Sequence, residues 1–262
     1  MDRVLRRLTR VGVVATVAAL AALGLIGCGG ASASSPQQVA DQLAQTDAAL
    51  RSAIDGGRAG GDPPSSPPPQ EVLAQAKAVQ GDALYLTRHP SLTAQVMPLL
   101  PPALAAEIQR LTRADRDLLR LSSGAVHRKL RVGAPAPLSD LIGFYREANS
   151  RYGVGWSYLA AINLVETKFG RVKSDSAAGA KGPMQFIPST WRIYGNRGDI
   201  HDPHDAILAA ARLLHANGAP GRYGPALRAY NDSGLYVDAV TRYAREIGAN
   251  PYAVYYLYCW LP

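Results

Sequence analysis

The sequence lacks the features that mark several common protein classes. Beyond residue 27 no apolar run is long enough to span a bilayer, and there is no internal repeat. The motifs H-E-x-x-H, G-x-S-x-G and G-K-[ST] are missing, so nothing points to a zinc protease, a serine hydrolase or a phosphate-binding loop. Segments that alternate polar and apolar residues are also few, and helical spacing dominates. We therefore predict an all-α protein.

Cysteine is scarce, with only Cys28 and Cys259 in 262 residues. If Cys28 is modified, as its context suggests, Cys259 has no partner, and a disulfide framework is excluded. Cys259 lies in an aromatic run, which favours a small buried hydrophobe over a reactive thiol.

The context of Cys28 is an export signal in residues 1–27. Four arginines precede a weakly polar to apolar run, residues 11–26, that leads into the sequence Leu-Ile-Gly-Cys. This pattern resembles a bacterial lipoprotein signal, in which lipid on Cys28 anchors the protein to the outer face of the plasma membrane. The alternative is an ordinary secretory signal with an incidental cysteine. In both cases the protein leaves the cytoplasm.

The composition is globular, with 47% hydrophobic and 18% charged residues, and the formal net charge is +8. Removing residues 1–27, which hold four arginines and one aspartate, leaves +5. A basic exported protein suits an anionic surface such as a cell wall. Nucleic acid is not an expected partner because the basic residues are scattered, and we expect a monomer.

We divide the chain into a signal peptide (1–27), a tether and linker with one helix (28–70), a helical N-terminal segment (71–135), a candidate catalytic domain (136–250) and an aromatic C-terminal tail (251–262). The N-terminal helices are expected to be non-catalytic, and to form either a small bundle or a coat on the following domain. Spacing, caps and breakers predict helices over residues 36–54, 70–88, 103–121, 138–150, 156–169, 189–194, 204–216, 223–230 and 234–247, with Asp205 as a helix N-cap.

One acidic residue, Glu166, is predicted to lie on an apolar helix face, where burial of its charge is unfavourable. Glu166 follows Ile162 by four residues and Leu159 by seven, which puts its carboxyl on the same helix face as these apolar side chains. An apolar environment disfavours the charged carboxylate and raises its pKa, which produces a general acid at neutral pH. The alternative is a helix-end glutamate that turns to solvent.

Three motifs give this acid a family resemblance. Residues 165–170, V-E-T-K-F-G, are similar to the V-E-[ST]-x-[FY]-G element of lytic transglycosylases. Residues 176–191 resemble the family's S-x-x-G-A-x-G-x-M-Q-F-x-P-x-T-W signature, and residues 229–231 its A-Y-N element. Connecting segments near residues 202–207 and 217–220 resemble the membrane-bound lytic transglycosylase B-like branch. The resemblance covers roughly residues 140–247, whereas residues 28–135 match no pattern of the family.

The resemblance implies a lysozyme-like, goose-type helical domain with a long groove. Such enzymes cleave the β-1,4 bond between N-acetylmuramic acid and N-acetylglucosamine in peptidoglycan without adding water, and leave a 1,6-anhydro end. One carboxyl, Glu166, would act as acid and then as base, whereas ordinary glycosidases use two. Two alternatives stay open: a hydrolysing muramidase on the same fold, and a non-catalytic lipoprotein that binds the cell wall.

The resemblance also assigns substrate contacts. Ser176 and Gln185 would contact the glycan near the acid, Tyr230 and Asn231 would line the cleft, and Tyr236 would line the groove. Without the resemblance, Ser176 would cap a glycine-rich turn, Gln185 would bond to the backbone, and Asn231 would be a plain helix C-cap. The helix end after Glu166 is expected to place the carboxyl at the edge of the groove.

No metal or cofactor is expected. His201 and His204 flank a proline turn rather than share a helix face, and we expect both to be solvated. Residues 195–202 include Arg197 and lack the alternating ligands and the final glutamate of a calcium loop.

Overall fold

The computed structural model describes residues 35–58, 68–123 and 130–262. Within these ranges the chain forms helices and no strand, with two isolated bridges that pair Val132 with Val172 and Lys181 with Phe186. The all-α prediction is confirmed. The signal peptide and Cys28 lie outside the described residues.

The described residues form eleven α-helices and one 3-10 turn, at Met97–Leu99. The helices are α1 (Pro36–Arg58), α2 (Gln70–Arg88), α3 (Pro90–Val96), α4 (Pro102–Leu121), α5 (Leu138–Tyr152), α6 (Trp156–Thr167), α7 (Pro188–Tyr194), α8 (Pro203–Ala216), α9 (Tyr223–Tyr230), α10 (Gly234–Ala249) and α11 (Ala253–Tyr258).

The start of α8 differs from the prediction. Its N-cap is Asp202, whose carboxylate accepts the backbone N–H of Asp205 at 2.9 Å. Asp205 lies in the first turn and accepts the N–H of Asp199 at 2.9 Å. The prediction that Asp205 is the N-cap is wrong because Pro203, a residue that favours the first helical position, starts the helix earlier.

Two helix ends also differ from the sequence pattern. α1 continues through its two glycines to Arg58. α6 ends at Thr167 because Lys168 and Phe169 adopt left-handed conformations, with φ of 53° and 59°. The N–H of Phe169 then donates to the carbonyl of Asn163 at 3.0 Å, which closes the last turn.

α6 is the central helix of the fold. Every residue from Leu159 to Thr167 is buried, so no side of this part of the helix faces solvent. α10 packs along both α6 and α4. A helix that is buried on all sides is mostly apolar, and the polar residues it carries therefore need partners or a function.

The N-terminal helices form a small bundle of their own and also pack on the following domain, which are the two arrangements that the sequence left open. Ala40 and Leu43 of α1 pack with residues of α2 to α4 in a small core of their own. Leu50 of α1 and Leu111 and Leu118 of α4 instead belong to the main core, together with the buried residues of α6 and α10.

A buried polar network joins α4 to the C-terminal part of the chain. The side-chain amide of Asn250 donates to Glu107 and to Glu246, both at 2.8 Å. Arg51 pairs with Glu107 at 2.9 Å, and Arg110 pairs with Glu246 at 2.5 Å. Because the two buried carboxylates have cationic and amide partners, the network ties the N-terminal helices to α10 and the segment that follows it.

The C-terminal segment is also part of this body. All residues of α11 are buried, and the thiol of Cys259 beside it is free and buried. Burial raises the pKa of this thiol to about 11, so it stays protonated at neutral pH. In the described ranges no helix combines the length and the apolar character that crossing a membrane requires.

Candidate active site

The last turn of α6 holds Glu166 inside the protein. Its side chain is 5% exposed, so the expected position at the edge of a groove is wrong. Oε1 accepts the hydroxyl of Tyr236 at 2.7 Å. Oε2 is buried and has no hydrogen-bond partner among the described residues. Unpartnered buried carboxylate oxygens are costly, and they concentrate at functional sites.

Burial raises the pKa of Glu166 to about 8, against an ordinary value of 4.5. The hydrogen bond from Tyr236 acts in the opposite direction because it favours the charged carboxylate. The carboxyl is therefore mostly protonated at pH 7, which is the state that a general acid needs before the reaction starts.

The glycine-rich loop that follows α6 is fastened to this helix close to the acid. The carbonyl of Pro183 accepts the hydroxyl of Thr167 at 2.6 Å and the side-chain amide of Asn163 at 2.9 Å. Asn163 in turn accepts the hydroxyl of Tyr145 at 2.7 Å. The roles of Tyr145, Asn163 and Thr167 were not predicted from the sequence. The available signal was that Asn163 and Thr167 are polar residues within the mostly apolar sequence of α6.

The backbone of the loop is tightly constrained. Lys181 and Phe186 exchange two backbone hydrogen bonds of 2.9 Å. At the turn between them, Gly182 has φ of 73°, and a Cβ on it would lie 1.8 Å from the carbonyl oxygen of Ile200. Gln185 follows with φ of 49°, which is uncommon for a residue with a side chain.

Ser176 and Gln185 are buried and bond to the backbone of this loop. The hydroxyl of Ser176 accepts the N–H of Ala180 at 2.9 Å. The amide of Gln185 donates to the carbonyl of Gly182 at 3.0 Å and to that of Ser174 at 3.5 Å. The structure thus shows the backbone roles that were the alternative for both residues, and their contact with substrate stays a prediction.

An aromatic group connects the loop to the acid. The hydroxyl of Tyr230 donates to the carbonyl of Met184 at 2.5 Å. Its ring stacks on that of Tyr236, with centroids 6.3 Å apart, and meets Phe186 edge to face at 5.7 Å. Through these contacts Glu166, Tyr236, Tyr230 and the loop form one cluster.

The two remaining predicted contacts, Tyr236 and Asn231, are both buried. Tyr236 is fully buried and contacts the acid itself, so its position is behind the carboxyl and not on an open groove. Asn231 is 4% exposed and follows the last residue of α9, where its N–H donates to the carbonyl of Leu227 at 2.8 Å. Its position is that of a helix C-cap, and its role toward substrate stays a prediction.

Asp202, His204 and Asp205 offer possible ligand atoms within 4.8 Å of one another. The two aspartates already accept backbone N–H groups at the start of α8, as described above. His204 bonds to Glu147 at 2.8 Å and packs against Phe144, and its side chain is 35% exposed, so it is only partly solvated. These contacts give the cluster a structural explanation, and the absence of a metal stays a prediction.

The fold and the site define a class of protein. Helices enclose Glu166, burial raises the pKa of its carboxyl, and a glycine-rich loop and tyrosines lie close to it; this arrangement agrees with the expected lysozyme-like helical domain. The comparisons agree, since residues 143–252 match the family model described as Transglycosylase SLT domain. Residues 143–252 are thus similar to transglycosylase SLT domains, and the predicted family resemblance is confirmed at this level.

A curated relative with the same domain type is the membrane-bound lytic murein transglycosylase F of Thiobacillus denitrificans. The two sequences are 26% identical over 226 residues, which cover 70% of this chain and 47% of the relative. The chain thus spans about half the length of this relative. No solved structure gives a significant match. The placement in the B-like branch stays a prediction.

Proposed function

We propose that the protein is a peptidoglycan lytic transglycosylase that cleaves the β-1,4 bond between N-acetylmuramic acid and N-acetylglucosamine and leaves 1,6-anhydro ends. The observation that carries the proposal is the buried carboxyl of Glu166, which has a pKa of about 8 and, among the described residues, one oxygen without a hydrogen-bond partner. The SLT domain match and the printed name of the relative support the substrate class.

The reaction needs one group that gives a proton and then takes one back. Protonated Glu166 donates its proton to the glycosidic oxygen as the bond from that oxygen to the muramic acid C1 breaks. The resulting carboxylate accepts the proton of the muramic acid 6-hydroxyl while O6 bonds to C1. The carboxyl ends as it began, and no water is consumed. Tyr236 steadies the carboxylate between the two steps because its hydroxyl bonds to Oε1.

The surroundings of Glu166 favour this one-acid reaction over hydrolysis with two carboxylates. Two aspartates beside the sequence motifs of the site have other contacts: Asp175 lies 4.0 Å from Lys181, and Asp232 lies 3.6 Å from Arg228. Both are exposed. The pKa of Glu166 is shifted by burial and by Tyr236, without a contribution from another acid in the part of the chain that the structure describes.

The proposed setting is the outer face of the plasma membrane, with lipid on Cys28 as the anchor and peptidoglycan strands as the partner. The export pattern of residues 1–28 and the basic charge of the remaining chain support this setting. The relative is also described as membrane-bound. The proposal requires no metal or organic cofactor, because every proton transfer is made by the Glu166 carboxyl.

The test is digestion of purified peptidoglycan by the wild type and by Glu166→Gln, followed by mass spectrometry of the products. The wild type is expected to release muropeptides with anhydro ends, which are one water lighter than reducing ends. Glu166→Gln is expected to fold and to lose at least about 100-fold in rate, the usual minimum for a general acid. Reducing ends would instead support a hydrolysing muramidase, and binding without release would support a wall-binding protein.

A further inference from the structure

We propose that Asp115 is a positioning residue for the acid: through Tyr243 it holds α10 in the register that brings Tyr236 to Glu166. Asp115 lies on α4, outside the segment that matches the SLT domain. The inference rests on the proposed function only in treating Glu166 as the catalytic acid.

α10 carries two similar tyrosine–acid pairs. Tyr236 and Tyr243 are seven residues apart, which is about two turns, so both side chains lie on one face of the helix. The hydroxyl of Tyr236 donates to Glu166 at 2.7 Å, and that of Tyr243 donates to Asp115 at 2.5 Å. Both acids are buried, and in both the second carboxyl oxygen has no hydrogen-bond partner among the described residues.

The packing of α10 couples the two pairs. α10 packs against both α6, which carries Glu166, and α4, which carries Asp115, and its contact with α4 is the more extensive. A slip of α10 by one residue would move Tyr236 by about 1.5 Å and rotate it by about 100°, which breaks its bond to Glu166. The same slip would break the bond between Tyr243 and Asp115. The buried Asp115 acceptor therefore resists the movement that would release the acid.

Asp115 can affect the pKa of Glu166 in two ways, through its own charge and through the position of Tyr236, and these two effects can be distinguished. Asp115 is faced by Tyr243 on α10 and by Lys168 just after α6, and both oppose the rise in its pKa that burial causes. Glu166 is faced by Tyr236 on α10 and by Tyr230 on α9. Loss of a negative charge at Asp115 would lower the pKa of Glu166 through space, whereas loss of the Tyr236 hydrogen bond raises it. The two effects have opposite signs.

The experiment measures the pKa of Glu166 by ¹³C NMR titration of its carboxyl in the full chain, with Glu166→Gln to assign the signal. Tyr236→Phe is expected to raise this pKa by about 1, since a hydrogen bond to a charged group contributes about 1.5 kcal/mol or more. Asp115→Ala is expected to raise it in the same direction by about half as much. Asp115→Asn keeps an acceptor for Tyr243 and should have a smaller effect.

Two controls make the result specific. Asp117→Asn removes a partly exposed carboxylate that pairs with Arg242 across the same two helices, and it should leave the pKa of Glu166 unchanged. In the Tyr236→Phe background, Asp115→Ala should add nothing. If Asp115→Ala does not fold, Tyr243→Phe breaks the same bond and keeps the ring.

An unchanged or lowered pKa of Glu166 in both Asp115→Ala and Tyr243→Phe, with a raised one in Tyr236→Phe, would overturn the inference. The titration needs no substrate. A protein that shows these pKa changes but releases no anhydro products would therefore contradict the proposed function and not the positioning role.

Discussion

The buried carboxyl of Glu166 weakens the fold at neutral and alkaline pH. A glutamate that is protonated in the folded protein and ionised in the unfolded chain makes folding dependent on the uptake of a proton. Evolution toward stability alone would favour glutamine at this position, which has a similar shape and no charge to bury. The position of Glu166 in the central helix therefore fits selection for chemistry at the expense of stability.

This reasoning predicts how the stability of the wild type and of Glu166→Gln depends on pH. The folded-state pKa of about 8 lies above the ordinary 4.5, so the folded protein binds this proton more tightly than the unfolded chain. The contribution of the proton to stability is complete below about pH 4.5 and is lost as pH rises through 8. The two proteins should have similar Tm values near pH 4.5, and the wild type should melt several degrees lower at pH 9.

Differential scanning calorimetry across this pH range measures the effect, since about 1 kcal/mol shifts Tm by roughly 2–4 °C in a protein of this size. A Tm difference between the two proteins that stays constant from pH 4.5 to 9 would show that Glu166 is not protonated in the folded state.

At the scale of the element, the sequence identified the helix that carries Glu166 and the loop after it, but not the contacts between them. Spacing predicted an apolar face around Glu166, whereas α6 is buried on all sides from Leu159 to Thr167. The spacing of apolar residues shows which side of a helix is apolar, but it does not show whether a short helix is buried on all sides. The hydrogen bonds of Thr167 and Asn163 to Pro183 join residues 16 and 20 positions apart, and they depend on how the loop folds back.

Two glycines of the loop provide a matched test of this element. A Cβ on Gly182 would lie 1.8 Å from a backbone oxygen, whereas a Cβ on Gly179 would have no atom within 4 Å. Both have positive φ, of 73° and 80°. Gly179→Ala should therefore cost only the strain of a left-handed alanine, about 1–2 kcal/mol. Gly182→Ala should cost about 3 kcal/mol or more and should displace the loop.

Chemical denaturation measures the two costs, and the digestion assay should show a loss of more than about tenfold for Gly182→Ala alone, because misplacement of about 1 Å has large effects on catalysis. Equal losses of stability and activity in the two variants would mean that the contact with Ile200 does not determine the loop conformation.

At the scale of the whole molecule, the N-terminal helices are part of the same folded body as the SLT domain. The helical spacing of residues 103–121 predicted α4, but spacing cannot name the helix against which α4 packs. The partner is α10, which lies more than 100 residues later in the chain. A match confined to residues 143–252 likewise locates the site and leaves the supporting helices outside it.

This organisation predicts that the matched domain does not fold by itself. Removal of residues 1–129 deletes six large aliphatic side chains from the main core, which together contribute about 10 kcal/mol or more at 1.5–3 kcal/mol each. That amount is comparable with the whole stability of an ordinary domain, about 5–15 kcal/mol. It also removes Asp115 and leaves Tyr243 without its buried partner. The deleted side chains are Leu50, Ile54, Val72, Val79, Leu111 and Leu118.

The comparison is between a chain of residues 130–262 and one of residues 35–262, both followed by thermal circular dichroism and by peptidoglycan digestion. The longer chain keeps every described helix and should unfold cooperatively and digest peptidoglycan at the rate of the full protein. The shorter chain should show no cooperative transition and no release of anhydro products. If residues 130–262 melt cooperatively and remain active, the N-terminal helices are an accessory coat, and the active site does not depend on α4 for its geometry.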